Sequence, residues 1–132
     1  MAERVKITIP GNPEYLTMVR LAIGSIAAKE GFDMEAIEDI KTAVTEACMV
    51  SYCHKLDGYA REYTVCCDID EDKLSFTIEA SLKDKIPKFT KRCLDCPDEG
   101  EIGLNLIDTL MDEFKTDWDD DKRTMKLVKL KK

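Results

Sequence analysis

Six cysteines are the first candidates for chemistry in this chain. Cys93 and Cys96 have the spacing of half a zinc site or of a redox pair, and Cys66 and Cys67 could supply further thiolates. Adjacent residues of a strand point to opposite faces, so Cys66 and Cys67 could not easily join one tetrahedral site. No signal peptide is evident, which points to a reducing compartment. We therefore expect free thiols.

The other candidates are the single histidine, His54, a glutamate in a helical pattern, Glu46, and the glycines Gly100 and Gly103. Taken alone, Glu46 is typical of a solvated or capping glutamate, and His54 of a residue that caps a helix C-terminus. The glycines lie at a predicted loop-to-helix junction, where free backbone N–H groups attract anions. A junction that needs only a flexible backbone would carry the same glycines.

The composition predicts one globular domain that spans residues 1–132. Hydrophobic residues make up 44% and charged residues 36% of the chain, a balance that favours folding over disorder. The formal charge of −7 would repel a polyphosphate backbone, so we expect no nucleic acid partner. No apolar run approaches the length of a membrane span, so we expect no membrane insertion and a cytoplasmic location.

Periodicity predicts the elements that position the candidate residues in the first half of the chain. Apolar and polar residues alternate over 5–9, as in a half-buried strand. A first helix is expected from an N-cap at Asn12 to a C-terminal glycine at Gly31. Asp33 is expected to cap a second helix, which carries Glu46 and runs to His54.

The second half of the chain is predicted to add two hairpins, a loop and a third helix. Alternation over 64–80 predicts the first hairpin, and residues 83–99 lack periodicity and predict a mobile or functional loop. Helical spacing over 103–114 predicts the third helix, and a final hairpin turns at 119–122. We expect an α+β two-layer sandwich with three main helices on one face of a mixed, mostly antiparallel sheet.

Three stretches carry a family resemblance: IPGNPEY at 9–15, EDIKTAVTEAC at 38–48 and EGEIGLNLIDTLMDE at 99–113. In this order they resemble the anti-sigma-factor serine kinases of Gram-positive bacteria, which have a GHKL, or histidine-kinase-like, ATPase domain. The element order matches that fold along nearly the whole chain. The resemblance implies a homodimer that regulates transcription by partner switching between a sigma factor and an anti-anti-sigma protein, with ATP and Mg²⁺ as cofactors.

The resemblance also implies roles for residues of the second helix. It makes Glu46 the catalytic general base and places the family's Mg²⁺-binding asparagine at Val50. Valine has no lone pair to offer a hard cation, so the metal site cannot be built as the family builds it. Asn105, one turn into the third helix, stays open as a replacement ligand.

Adenine recognition in the family uses an aspartate and a glycine at the positions of Ala80 and Leu82. Neither residue can play that role, because no acceptor replaces the missing carboxylate. The sequence predicts impaired ATP binding on this side of the site.

The phosphate side matches the family better. The resemblance assigns cofactor binding to Gly100, Gly103 and Leu104 at the start of the third helix, and to Thr124 in the last hairpin. Glu101 replaces another glycine and places a negative charge where phosphate would lie.

Arg20, on the first helix, matches an arginine that the family uses to contact both the sigma factor and its antagonist. The first hypothesis is therefore an anti-sigma-factor-like binding protein with impaired ATP binding. The alternative is an active serine protein kinase that phosphorylates an anti-anti-sigma protein with ATP. A third reading keeps the fold and gives the more apolar pocket at Ala80 and Leu82 to another small molecule.

Overall fold

A computed structural model describes residues 3–49, 60–82, 99–118 and 122–131. The strands are β1 (Glu3–Pro10), β2 (Ala60–Ile69), β3 (Lys73–Leu82), β4 (Glu113–Trp118) and β5 (Lys122–Leu130). The helices are α1 (Leu16–Lys29), α2 (Met34–Met49) and α3 (Glu99–Leu110), with a 3₁₀ turn at Pro13–Tyr15. The predicted order of elements is confirmed.

The strands pair in the order β1-β2-β3-β5-β4, and each described pair is antiparallel. Side chains alternate along each strand, so the sheet has an inner face beneath the helices and an outer face that points away from them. The inner face supplies the strand half of the core, with Tyr63, Val65, Cys67, Leu74, Phe76, Ile78, Met125 and Leu127. The predicted α+β two-layer class is confirmed.

Helix α2 lies between α1 and α3 in the helix layer and contacts β3 and β5 below it. Its buried stripe is Ile40, Ala43, Val44, Ala47 and Cys48. Full burial of one large apolar side chain stabilises a fold by about 1.5–3 kcal/mol. Packing of this stripe therefore fixes α2, and with it Glu46, against the centre of the sheet.

Two sequence signals place the turn between α1 and α2. Gly31 has φ +87°, and its N–H and that of Phe32 donate to the carbonyls of Ala28 and Ala27, both at 3.1 Å. This pair of hydrogen bonds is a Schellman motif, which favours glycine at the left-handed position. The Asp33 carboxylate then accepts from the Ala36 N–H at 2.8 Å and caps α2.

The predicted start of the first helix is wrong in detail. The Asn12 carbonyl accepts from the Tyr15 N–H at 3.1 Å in the 3₁₀ turn, and α1 itself begins at Leu16 without a side-chain cap. The fixed φ of Pro13 suits this tighter turn.

The predicted end of the third helix is also wrong. Helix α3 ends at Leu110, and the Asp112 N–H donates to the Val128 carbonyl of β5 at 2.9 Å. Phe114 therefore belongs to β4, whose inner face it joins. Glu99 opens α3 instead of closing the predicted loop, and the rest of that loop lies outside the described residues.

None of the helices in the described parts of the chain has both the length and the apolar character needed to cross a bilayer.

Candidate functional site

Glu46 lies in the last turns of α2, beside the buried stripe that faces the sheet. Its side chain is half-buried, next to the fully covered Ala47. A half-buried carboxylate on a fixed helix can accept a proton from a group bound at the edge of the helix layer. Val50 and His54 lie outside the described residues, so the predicted pairing of positions 46 and 50 stays a prediction.

Ala80 lies on the inner face of β3, where it is 2% exposed. Its neighbours across the sheet are Tyr63 of β2 and Arg123 of β5. The Ala80 methyl group cannot accept a hydrogen bond, so this buried position offers no acceptor to an amino group. Leu82 ends β3, with its backbone opposite Ala60.

Arg123 is a candidate site residue that the sequence did not predict. It is 6% exposed and lies on the inner face directly across from Ala80. The signal was present, because Arg123 alternates in phase with Met125 and Leu127, which are both buried. A guanidinium has only donors, so Arg123 adds positive charge beside a position where the family resemblance implies a carboxylate.

Thr124 lies on the outer face of the sheet, opposite to Ala80. Its partners in register are Glu79 of β3 and Asp117 of β4. Successive strand residues point to opposite faces, so the structure does not bring the Thr124 side chain together with Ala80 or with α2. The β5 residue that reaches the inner face at this level is Arg123.

Gly100, Gly103 and Leu104 lie within the first half of α3, which packs against α2. A helix leaves only its first four N–H groups without helical partners, so the N–H of Gly100 has no partner within α3, whereas that of Gly103 can pair with the Glu99 carbonyl. Glu101 belongs to the same first turn of α3.

Lys129 of β5 holds the end of α3 in place. The Lys129 ammonium of β5 donates to the Leu110 carbonyl at 2.7 Å and lies 3.7 Å from the Asp39 carboxylate of α2. One side chain thus ties the end of α3 to α2 and the sheet. Asn105 is exposed on α3, and its backbone carbonyl accepts a hydrogen bond from the Thr109 hydroxyl at 2.9 Å.

Arg20 is exposed on α1, on the side that faces away from the core. Two large apolar residues of the same helix are also exposed, Met18 at 58% and Leu21 at 68%. Within the described part of the chain, Arg20 forms no ion pair. We call Met18, Arg20 and Leu21 the α1 face.

The described cysteines are free thiols. Burial raises the pKa of Cys48 and of Cys67 to about 12, which makes both poor nucleophiles at neutral pH. Cys66 is half-buried on the outer face, whereas Cys93 and Cys96 lie outside the described residues. The described residues include no cluster of His, Cys, Asp and Glu side chains that could hold a metal ion.

At Ala80 the inner face lacks the carboxylate that the resemblance implies for adenine. Ala80 supplies no acceptor, and its neighbour Arg123 supplies only donors. What is retained is Glu46 beside the sheet and the N-terminal turn of α3 next to α2. The arrangement could hold an anion more readily than it could read a base.

Comparison with known proteins relates this geometry to one family. The family model for the histidine kinase-like ATPase domain matches residues 9–129. The serine-protein kinase RsbW of Bacillus licheniformis is 36% identical over 123 residues, which cover 85% of this chain and 76% of the relative. The serine-protein kinase RsbW of Listeria innocua is 36% identical over 130 residues, which cover 91% and 83%.

One solved structure shows the same fold. It is the crystal structure of the RsbU and RsbW domains of Rv1364c from Mycobacterium tuberculosis, with a TM-score of 0.68 and 16% sequence identity. The match covers 97% of this chain and 32% of the other, so the chain spans about a third of that protein's length.

Proposed function

The chain belongs to the histidine kinase-like ATPase domain family, and on that premise we propose that it is an anti-sigma-factor-like regulator. In this proposal it binds a sigma factor, an anti-anti-sigma protein, or both in turn, and thereby regulates transcription in the cytoplasm. Its ATP binding is impaired, so the binding of partners and not phosphoryl transfer is its main activity. The related serine-protein kinases named RsbW support the family role.

The α1 face is the observation that carries this proposal. The other side of the helix is buried in the core through Leu16, Val19, Ile23 and Ala27. Met18 and Leu21 nevertheless remain mostly exposed beside Arg20. A guanidinium that forms no ion pair with the described residues, on a helix surface with exposed apolar side chains, is typical of protein interfaces, where arginine is enriched and apolar contacts supply affinity.

Co-purification from the native host tests the partner. We expect a tagged chain to retain a sigma factor or an anti-anti-sigma protein, and Arg20→Ala to reduce its recovery at least tenfold. Lys29→Ala, an exposed basic residue in the last turn of the same helix, is the matched control and should retain the partner. Recovery of no partner by the unmodified chain, or equal recovery by both variants, would contradict the proposal.

Impaired ATP binding follows from the inner face. Loss of a buried hydrogen-bond acceptor that recognises a ligand group greatly lowers specificity for that ligand, and the Ala80 side chain has no acceptor. Arg123 adds a cation at the same level of the sheet. In a thermal-shift titration with Mg-ATP and Mg-ADP, we expect no shift at millimolar nucleotide. A ligand at 100 times its Kd would stabilise the fold by about 2.7 kcal/mol, and a shift of that size would refute impaired binding.

The alternative is an active serine protein kinase, and the half-buried Glu46 on α2 favours it. Gly100 and Leu104 at the start of α3 would then hold phosphate, and Mg²⁺ would supply positive charge to the transferred phosphoryl group. The kinase reading requires transfer of ³²P from ATP to an anti-anti-sigma protein, and loss of that transfer in Glu46→Gln. Transfer that persists in Glu46→Gln would exclude Glu46 as the base.

A homodimer is the remaining part of the proposal. Strand β1 lies at one edge of the described sheet, and Val5 on its inner face is 36% exposed. A free edge with an exposed apolar side chain favours pairing with another chain. Light scattering after gel filtration should give twice the mass of 15.0 kDa, and a mass of one chain would contradict it.

A further inference from the structure

A row of residues in register crosses the outer face of all five strands and includes three lysines. Lys6 is opposite Cys66, Cys66 is opposite Thr77, Thr77 is opposite Lys126, and Lys126 is opposite Lys115. Lys73 lies on the same face of β3. We call Lys6, Lys73, Lys115 and Lys126 the lysine face.

These lysines form no ion pair with any residue that the structure describes. The other cations of this face are paired: Arg4 with Asp68 at 2.6 Å and Lys122 with Glu79 at 3.5 Å. No carboxylate of the described residues lies within 4.0 Å of an ammonium group of the lysine face. Lys115 and Lys126 stand directly opposite each other, and like charges in that position destabilise a sheet.

A depression of about 160 Å³ lies between three of the lysines, Lys73, Lys115 and Lys126. Its floor includes Ser75 and Val128, which are only 7% and 5% exposed although they belong to the outer face. Glu113 also lines it and is the one carboxylate that opposes an anion there. The depression is thus lined by three lysines, a buried serine and two apolar residues, Phe114 and Val128, a combination that suits a carboxylate on a short apolar stem.

We propose that the lysine face is a docking site for an acidic segment of a partner polypeptide. The charge of the whole chain is −7, so a cluster of unpaired cations on one face complements an acidic partner that the rest of the surface repels. Asp68, Glu79 and Asp117 flank the row on the same face and disfavour a long polyphosphate. A short segment with spaced carboxylates meets the cations without running over these acids.

The geometry sets the spacing of that segment. Lys6 and Lys126 are three strands apart in the sheet, which is about 14 Å at 4.8 Å per strand. Four residues of extended chain span about the same distance at 3.4 Å per residue. Glutamates at positions i and i+4 of an extended segment that crosses the strands can therefore contact both. This face is opposite to α1, so the site is independent of the partner proposed for the α1 face.

The test is an NMR titration of the full, ¹⁵N-labelled chain with a twelve-residue peptide whose only charged side chains are glutamates at i, i+4 and i+8. We expect amide shifts at Ser75, Thr77, Lys115 and Lys126, and an affinity that falls with salt. Lys126→Glu should weaken binding at least tenfold. Lys29→Glu makes the same change of charge on α1 and should leave binding unchanged. Both lysines are exposed, so both variants should fold as the parent does.

Four results would overturn the proposal. The first is that a peptide with glutamine in place of glutamate binds as tightly as the glutamate peptide, and the second is that Lys29→Glu weakens binding as much as Lys126→Glu does. The third is that a twelve-nucleotide single-stranded DNA binds more tightly than the peptide. The fourth is that inorganic phosphate alone, at the peptide's concentration, gives the same amide shifts. The third would make the face a nucleic acid site and the fourth a small-anion site.

Discussion

Lys129→Met is the perturbation whose effect the structure defines best. The ammonium group of Lys129 donates to the last carbonyl of α3 at 2.7 Å, and its side chain is only 11% exposed. A hydrogen bond to a charged group contributes about 1.5–3 kcal/mol. The ion pair with Asp39, at 3.7 Å and with that carboxylate 29% exposed, adds a few tenths of a kcal/mol at most. Methionine keeps the apolar stem, so we expect the free energy of unfolding to fall by about 2 kcal/mol.

Urea unfolding followed by circular dichroism measures this loss. With an m-value of about 1.5 kcal/mol per molar, the midpoint should fall by roughly 1 M while m stays unchanged. Lys126→Met is the matched control, because Lys126 lies on the same strand but is exposed on the outer face. Surface substitutions usually change stability by less than about 0.5 kcal/mol, so the urea midpoint of this variant should shift by less than about 0.3 M. Equal midpoints for the two variants would refute the view that Lys129 anchors α3.

Two further predictions concern the turn after α1 and the buried thiols. Gly31→Ala should destabilise the fold by about 1–2 kcal/mol, because φ at Gly31 is +87°. Gly24→Ala inside α1 should be neutral or stabilising by up to about 1 kcal/mol, because the new methyl group meets only the flexible Lys41 side chain, at 3.1 Å. Equal urea midpoints for the two variants would contradict this prediction. Burial raises the pKa of Cys48 and of Cys67 to about 12, whereas the pKa of a cysteine in the unfolded chain is roughly 8.5. The unfolded state therefore loses these protons first, and stability should fall as the pH rises from about 8.5 to 12. Unfolding measured at pH 8 and 10 should show a shallower fall in Cys48→Ala/Cys67→Ala, and an unchanged fall would assign it to other groups.

Local signals predicted most of the fold. The alternation in β1, β2, β3 and β5 and the apolar stripe of α2 each depend on burial of one face, which a periodicity reports directly. Asp33 and Gly31 mark their helix ends through backbone hydrogen bonds that need those residue types, so both positions were predictable.

Long-range contacts decided what the sequence did not predict. Phe114 satisfies both the helical spacing of α3 and the alternation of β4, and the choice rests on the hydrogen bond between Asp112 and Val128, which is distant in sequence. Arg123 was missed for another reason. A charged residue is assigned to solvent by default, although its alternation with Met125 and Leu127 places it inside.

The register of β5 also constrains what the candidate site can be. For Thr124 to reach the inner face, β5 would have to slip by one residue, which turns every side chain to the other face. Met125 and Leu127, now 2% and 0% exposed, would lose their burial at a cost of about 3–6 kcal/mol, and Lys126 would become buried. That cost approaches the whole stability of a typical domain, about 5–15 kcal/mol. Arg123 is therefore held beside Ala80, and the inner face carries a cation where the resemblance implies an adenine-reading acid. The proposed function therefore rests on the α1 face and not on the position of Ala80.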